Sequence, residues 1–175
     1  MVNVKFVRLN ELAKMPMQAK PGDACFDICA TGFSWNGNVI VVDTGLAFEL
    51  PAGHEMQVRC RGGFASKGVF VTNGIGTVDE GYRGELKVFL STTSSTPFIN
   101  PGGKSVKIGK LELSIGDRIA QIAVRPVPEV TFEETEELGD TARGSGGFGS
   151  TGVEALPSPE AVKPPAGKKN SLRKD

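Results

Sequence analysis

The stretch GIGTVDEGYRGELKV, residues 74–88, sets two short runs of alternating side chains around a turn at Asp79, Glu80 and Gly81. Alternation with period two sends successive side chains to opposite faces, which is strand behaviour; an amphipathic helix repeats about every 3.6 residues. The same rhythm continues outward in both directions. Upstream lie VNVKFVRL (2–9), NVIVVDTG (38–45, a strand ending in a turn), LAFELP (46–51), HEMQVRCR (54–61) and VFVTNG (69–74). Downstream follow ELKVFLSTT (85–93), KSVKIGK (104–110), LELSI (111–115) and RIAQIAVRPV (118–127). Short strands punctuated by Gly and Pro predict an all-β barrel or sandwich. The best short helical candidate, around FASKGVF (64–70), contains a glycine.

The chain has 175 residues, enough for one domain with a tail. Lys plus Arg and Asp plus Glu are both 20, so the formal net charge is zero. A basic surface that wraps nucleic acid is not indicated. No apolar run reaches the roughly 18 residues of a membrane span. The start, MVNVKFVRLNEL, enters the alternating pattern directly and does not read as a signal peptide. A cytoplasmic location is the expectation. Cys25, Cys29 and Cys60 make an odd set, which points to free thiols in a reducing compartment. Cys25 and Cys29 have no matching second pair for a zinc site, and His54 is the only histidine.

Three stretches break the strand pattern. TFEETEELGDT (131–141) carries five acidic residues and is expected to face water. RGSGGFGSTG (143–152) has five glycines around a lone Arg143 and a lone Phe148. Glycine loses more backbone entropy on ordering than any other residue, so this segment is either a linker or an arm that orders over a ligand. Beyond Gly152, four prolines and a basic end predict disorder. The expected organisation is a β domain over 1–140, an arm over 141–152 and a tail over 153–175.

Chemistry concentrates in four further places. In the 74–88 stretch, Asp79 can cap local backbone or position a water; Tyr82 offers a flat face, and Arg83 and Glu85 could pair. CRGGFASKG (60–68) sets Arg61 before Gly62 and Gly63, a possible anion nest without phosphate-loop spacing. PGDACFDICAT (21–31) puts Asp23 and Asp27 four apart, on one face if both lie in a strand. They could bind hydrated Mg²⁺ or cap turns. IGDRIAQIAV (115–124) places Gln121 in an apolar strand where its amide needs a partner. There Arg118 reads as an ion-pairing residue.

In this order the segments resemble the five motifs of the trimeric dUTP diphosphatases (dUTPases). PGDACFDICA is similar to the first, RGGFASKG to the second and NGIGTVDEGYRGELKV to the third; GDRIAQI is similar to the fourth and RGSGGFGSTG to the fifth. The resemblance covers about residues 15–152. It implies a jelly-roll-like distorted β-barrel with a flexible C-terminal arm, assembled as a homotrimer with shared active sites. The implied reaction is Mg²⁺-dependent hydrolysis of dUTP to dUMP and pyrophosphate, which limits dUTP and supplies dUMP. Membrane and nucleic acid are not implied partners.

By the same resemblance, Asp79 activates the water that attacks the α-phosphorus. Tyr82 packs under the deoxyribose. Asn73 and the backbone from Gly74 to Val78, Gly76 included, read uracil. Asp27 holds Mg²⁺ through water. Arg61, Gly62, Gly63 and Gln121 meet the phosphates. Arg143, Phe148, Gly149, Ser150 and Thr151 belong to the closing arm. The sequence departs from the pattern at Gly62, where the family carries serine, at Cys60 for proline and at Phe64 for leucine. Segment 91–114 is longer than usual and reads as an added hairpin, expected at the surface. The competing readings are a dCTP deaminase on the same fold and a non-catalytic nucleotide-binding trimer.

Overall fold

Strand follows strand along most of the chain. In order these are β1 (Lys5–Arg8), β2 (Phe26–Cys29), β3 (Gly32–Asn36), β4 (Val39–Glu49) and β5 (His54–Arg59). A one-turn helix α1 (Gly62–Ala65) precedes β6 (Val69–Val71), β7 (Gly76–Val78), β8 (Glu85–Thr92) and β9 (Phe98–Ile99). Then come β10 (Ser105–Ile108), β11 (Leu111–Ser114) and β12 (Arg118–Pro126). The structure is a computed structural model and describes residues 1–37, 39–93 and 96–147. It comprises one compact unit, Met1–Thr131, and a second that starts at Phe132.

The strands form three sheets, and every pairing is antiparallel. One runs β1-β4-β8-β6, with β3 also on β4; a second is β11-β10-β9; the third is β2-β12-β5-β7. The side chains of Ile28, Ile40, Leu46, Met56, Leu90, Ile108 and Ile119 are essentially inaccessible to water. Each such burial stabilises the fold by about 1.5–3 kcal/mol before the entropy of ordering is counted. No helix among the described residues is long and apolar enough to cross a membrane.

β4 corrects the reading of two strands separated by a turn. It is one 11-residue strand, buried over most of its length. Its first half pairs with β3 and its second with β1, while β8 lies along the other edge. Gly45 sits at the changeover with φ +64°, and the register against β8 shifts there. A side chain at Gly45 would also meet Asn10 and Ala13, so glycine here bends the strand rather than ending it. Buried Thr44 steadies the irregularity by donating its hydroxyl to the Leu86 carbonyl at 2.6 Å.

Two other expectations change. β1 alternates as a half-buried strand would, yet it is exposed at all four positions at the edge of its sheet. Segment 91–114 is not a surface addition: Val106, Ile108 and Leu113 join the main hydrophobic cluster, and Ile99 and Leu111 pack against it. Period-two apolar residues on β10 and β11 make this possible, since their common face is turned inward.

Candidate active site

β7 is the edge strand of the β2-β12-β5-β7 sheet. It pairs with β5 through Met56–Val78, Gln57–Thr77 and Val58–Gly76. Between β7 and β8 the chain reverses over residues 79–84; the two strands pair in different sheets, and this open hairpin walls a pocket of about 250 Å³. Val58, Val71, Leu86 and Val88 supply apolar lining; Asn73, Gly76, Val78, Asp79 and Tyr82 are among the other lining residues. The volume lies below the about 300–1,000 Å³ typical of pockets that take a whole drug-sized ligand, and suits one small ring system.

The turn is braced from several sides. The Tyr82 N–H donates to the Asp79 carbonyl at 3.1 Å. Arg83 Nη1 donates to the carbonyls of Glu80 at 2.6 Å and Tyr82 at 3.0 Å. The Glu80 carboxylate accepts the Gly53 N–H at 2.6 Å, which ties the turn to the loop between β4 and β5. The suggested Arg83–Glu85 pair does not form: Glu85 instead accepts the Gly45 N–H and sits 3.4 Å from Lys87. Asp79 is exposed, and among the described residues its carboxylate has no hydrogen-bond or ion-pair partner. A fixed backbone with an unoccupied carboxylate is suited to holding a water.

A second pocket, of about 430 Å³, gathers Asp27, Arg61, Gly62, Gly63, Arg118 and Gln121. The sheet register explains the gathering: Gln121 on β12 stands opposite Asp27 on β2 and Arg59 on β5, and Arg61 leaves the end of β5. The Asp27 side chain is only 14% exposed and lies between two guanidinium groups. Arg61 Nε reaches one carboxylate oxygen at 3.0 Å, and Arg118 Nη1 reaches the other at 2.9 Å. Arg61 also donates to the Arg118 carbonyl at 3.0 Å, and its guanidinium stands 5.7 Å from the Phe64 ring centroid. Gln121 finds its partner in the Cys60 carbonyl, at 3.2 Å. Asp23 also lines this pocket, so two guanidinium groups face two carboxylates; the arginines offer donors to a polyphosphate, and the remaining phosphate charge calls for a further cation.

Asp23 does not share a strand with Asp27. It precedes β2 and caps the Lys20 N–H at 2.9 Å, the turn role left open by the sequence. At Gly62 and Gly63 neither φ is left-handed, and an added Cβ would meet nothing within 4 Å. A serine at 62 would therefore fit without strain. Nearby, burial pushes the Cys29 thiol up from its ordinary range, so it is not an activated nucleophile.

Among the described residues, no group of three or more His, Cys, Asp or Glu could hold a metal ion. The donor set still fits Mg²⁺ of one kind. Each Asp27 oxygen accepts a single arginine bond and keeps acceptor capacity for a water. Mg²⁺ commonly keeps several waters and binds through one or two carboxylates plus substrate phosphates. The residues therefore suit a hydrated ion that arrives with a phosphate chain, not a dedicated protein cage.

The two pockets share no lining residue. Asp27 lies on β2 and Gly76 to Val78 on β7, the two edges of one sheet, while the adjacent inner strands contribute Val58 to one pocket and Gln121 to the other. The predicted site residues thus fall into two assembled groups within one chain, and the two groups are not brought together. Arg118 was read from sequence only as an ion-pairing residue; its partner proves to be Asp27. The bracing role of Glu80 carried no sequence signal, because it depends on a turn distant along the chain. In the second unit, Arg143 Nε donates to the Gly146 carbonyl at 2.9 Å, and the Gly144 N–H meets Thr141. Phe148, Gly149, Ser150 and Thr151 lie outside the described residues.

Comparison with known proteins bears on these two pockets. The family model described as dUTPase matches residues 11–152. A deoxyuridine 5′-triphosphate nucleotidohydrolase of Alkaliphilus metalliredigens is 42% identical over 161 residues, covering 88% of this chain and 100% of that protein. One from Crocosphaera subtropica is 41% identical over 155 residues, covering 87% of this chain and 100% of its own length. Among solved structures, a Staphylococcus bacteriophage 80alpha dUTPase with dUPNHPP superposes with a TM-score of 0.71 at 25% identity, covering 86% of this chain and 99% of that one. With the five motifs in order and the hairpin and anion pockets built from four of them, the chain belongs to the dUTPase family.

Proposed function

We propose that Asp79 holds and deprotonates the water with which this enzyme hydrolyses dUTP to dUMP and pyrophosphate. Family membership supports the reaction, and the geometry supports the division of roles. The uracil and sugar enter the hairpin pocket. Its braced backbone offers fixed donors and acceptors to the base edge, and Tyr82 walls the sugar. Water held by Asp79 attacks the α-phosphorus; the bond to the bridging oxygen breaks, and pyrophosphate leaves with that electron pair. The proton passes to the Asp79 carboxylate.

The phosphate chain needs positive groups beside it. Arg61, Gly62, Gly63 and Gln121 supply guanidinium, N–H and amide donors in the second pocket, with Arg118 holding Asp27 in place. When bound, Mg²⁺ would offset phosphate charge, and Asp27 would hold it through water. The arm at 141–152 closes over the substrate, with Arg143 toward phosphate, Phe148 toward the base, and Gly149, Ser150 and Thr151 toward the terminal phosphates. Closure excludes bulk water and strengthens the polar contacts.

The observation that carries the quaternary part is the separation of the pockets. Within one chain the hairpin and the second pocket share no lining residue, which supports a site whose parts come from two chains. A homotrimer of jelly-roll-like subunits places the hairpin of one chain against the anion pocket of its neighbour; the likeness to the phage dUTPase supports that fold. The test mixes two inactive variants, Asp79→Asn and Arg61→Ala, by joint refolding. Shared sites predict recovery of about a quarter of wild-type activity, because half the hairpins are intact and half of those face an intact anion pocket. No recovery in mixed trimers would show that each site lies within one chain.

A further inference from the structure

The Tyr82 side chain folds back along its own hairpin. Its hydroxyl donates to the Glu85 carbonyl at 3.0 Å, so the ring spans the intervening residues. Gly84 lies beneath it. A Cβ built on Gly84 would overlap the Tyr82 hydroxyl and Cζ, and would stand 3.0 Å from Cε2. The main chain does not demand glycine at this position: the φ of Gly84 is not left-handed, and an L side chain could adopt it. The ring of Tyr82 is what occupies the space.

We propose that Gly84 is a positioning residue that sets nucleotide selectivity by letting the Tyr82 ring lie down against the hairpin. The inference rests on the reading of Tyr82 as the sugar-facing wall. The missing Cβ fixes the height of that wall. The backbone below cannot yield easily, since Arg83 bonds to the Glu80 and Tyr82 carbonyls and Glu80 anchors the turn to Gly53. A methyl group at residue 84 must therefore lift or rotate the ring and break its bond to Glu85. A displaced wall no longer packs closely on C2′, and the space it leaves admits a 2′-hydroxyl. A 2′-hydroxyl is a small group, and pocket walls discriminate groups of that size by about 10–200-fold.

Tyr82 is the only tyrosine in the chain, so isotope-labelled tyrosine reports on this ring alone. The experiment compares wild type and Gly84→Ala by NMR of the labelled ring, by thermal unfolding, and by the ratio of kcat/KM for dUTP over UTP. Tyr82→Ala is measured in parallel. The expected result is a shifted ring signal, a near-native melting temperature and a selectivity ratio lowered by roughly tenfold. An unshifted ring signal, or a shifted one with unchanged selectivity, overturns the proposal while Tyr82→Ala still loses selectivity. If Tyr82→Ala itself keeps full selectivity, the sugar-wall reading fails and the proposal falls with it. Should Gly84→Ala not fold, the double variant Gly84→Ala/Tyr82→Ala decides. Restored folding supports competition between methyl and ring for one space, and continued misfolding overturns it.

Discussion

Asp79→Asn lowers kcat for dUTP by about 10²–10⁴-fold, the range for loss of a positioned general base. That corresponds to about 2.7–5.4 kcal/mol of transition-state stabilisation. The amide keeps the shape of the carboxylate and can still orient a water, but it cannot take the proton. KM should change little, because the proposed uracil and phosphate contacts lie on other groups. The fold should be indifferent as well: Asp79 is exposed and, among the described residues, holds no partner that the substitution would orphan. Steady-state kinetics with a thermal melt checks all three points. A variant that keeps wild-type kcat would remove Asp79 from the role of base.

Truncation after Asp140 should leave the β domain folded and cost roughly 10²–10³-fold in kcat, the size of effect seen when a preorganised charge-stabilising donor is lost. The core explains the first half. Among the described residues, every member of the main hydrophobic cluster precedes residue 131. The composition of the arm explains the second. Arg143 carries the only positive charge between Asp140 and Gly152, and in the closing-arm proposal its removal deprives the triphosphate of a guanidinium. Truncation after Gly152 is the matched control and should retain wild-type turnover. Full activity in the shorter protein would end the closing-arm reading; loss in both would move the function into the tail.

Much of the architecture is legible in period-two alternation. β5, β8 and β12 fall where HEMQVRCR, ELKVFLSTT and RIAQIAVRPV place them, because one face of each meets the core. β4 was misread because glycine usually punctuates, and nothing local shows that Gly45 continues a strand between two partners. Segment 91–114 was read as surface because extra length suggests an addition; only its inward-facing Val106, Ile108 and Leu113 reveal a core element. β2 was masked by its motif: FDIC is short, and its partner β12 lies about ninety residues further on. The candidate site shows the same limit. Residue types singled out Asp27, Arg61 and Asp79 as candidates, but the contacts around them arise in space. Arg118 on Asp27, Glu80 on Gly53 N–H and Tyr82 across Gly84 are relations of register and turn geometry.

The most direct measurement is pyrophosphate release by the full chain with dUTP, UTP, dCTP and dTTP in parallel, with and without Mg²⁺. In the proposed division of roles the hairpin reads the base, Tyr82 reads the sugar, and the second pocket serves the phosphates common to all four. The expected result is Mg²⁺-dependent release of pyrophosphate and dUMP from dUTP, with kcat/KM for each of the other three lower by about two orders of magnitude or more. Comparable turnover of all four nucleotides, or release of ammonia from dCTP in place of pyrophosphate from dUTP, would contradict it.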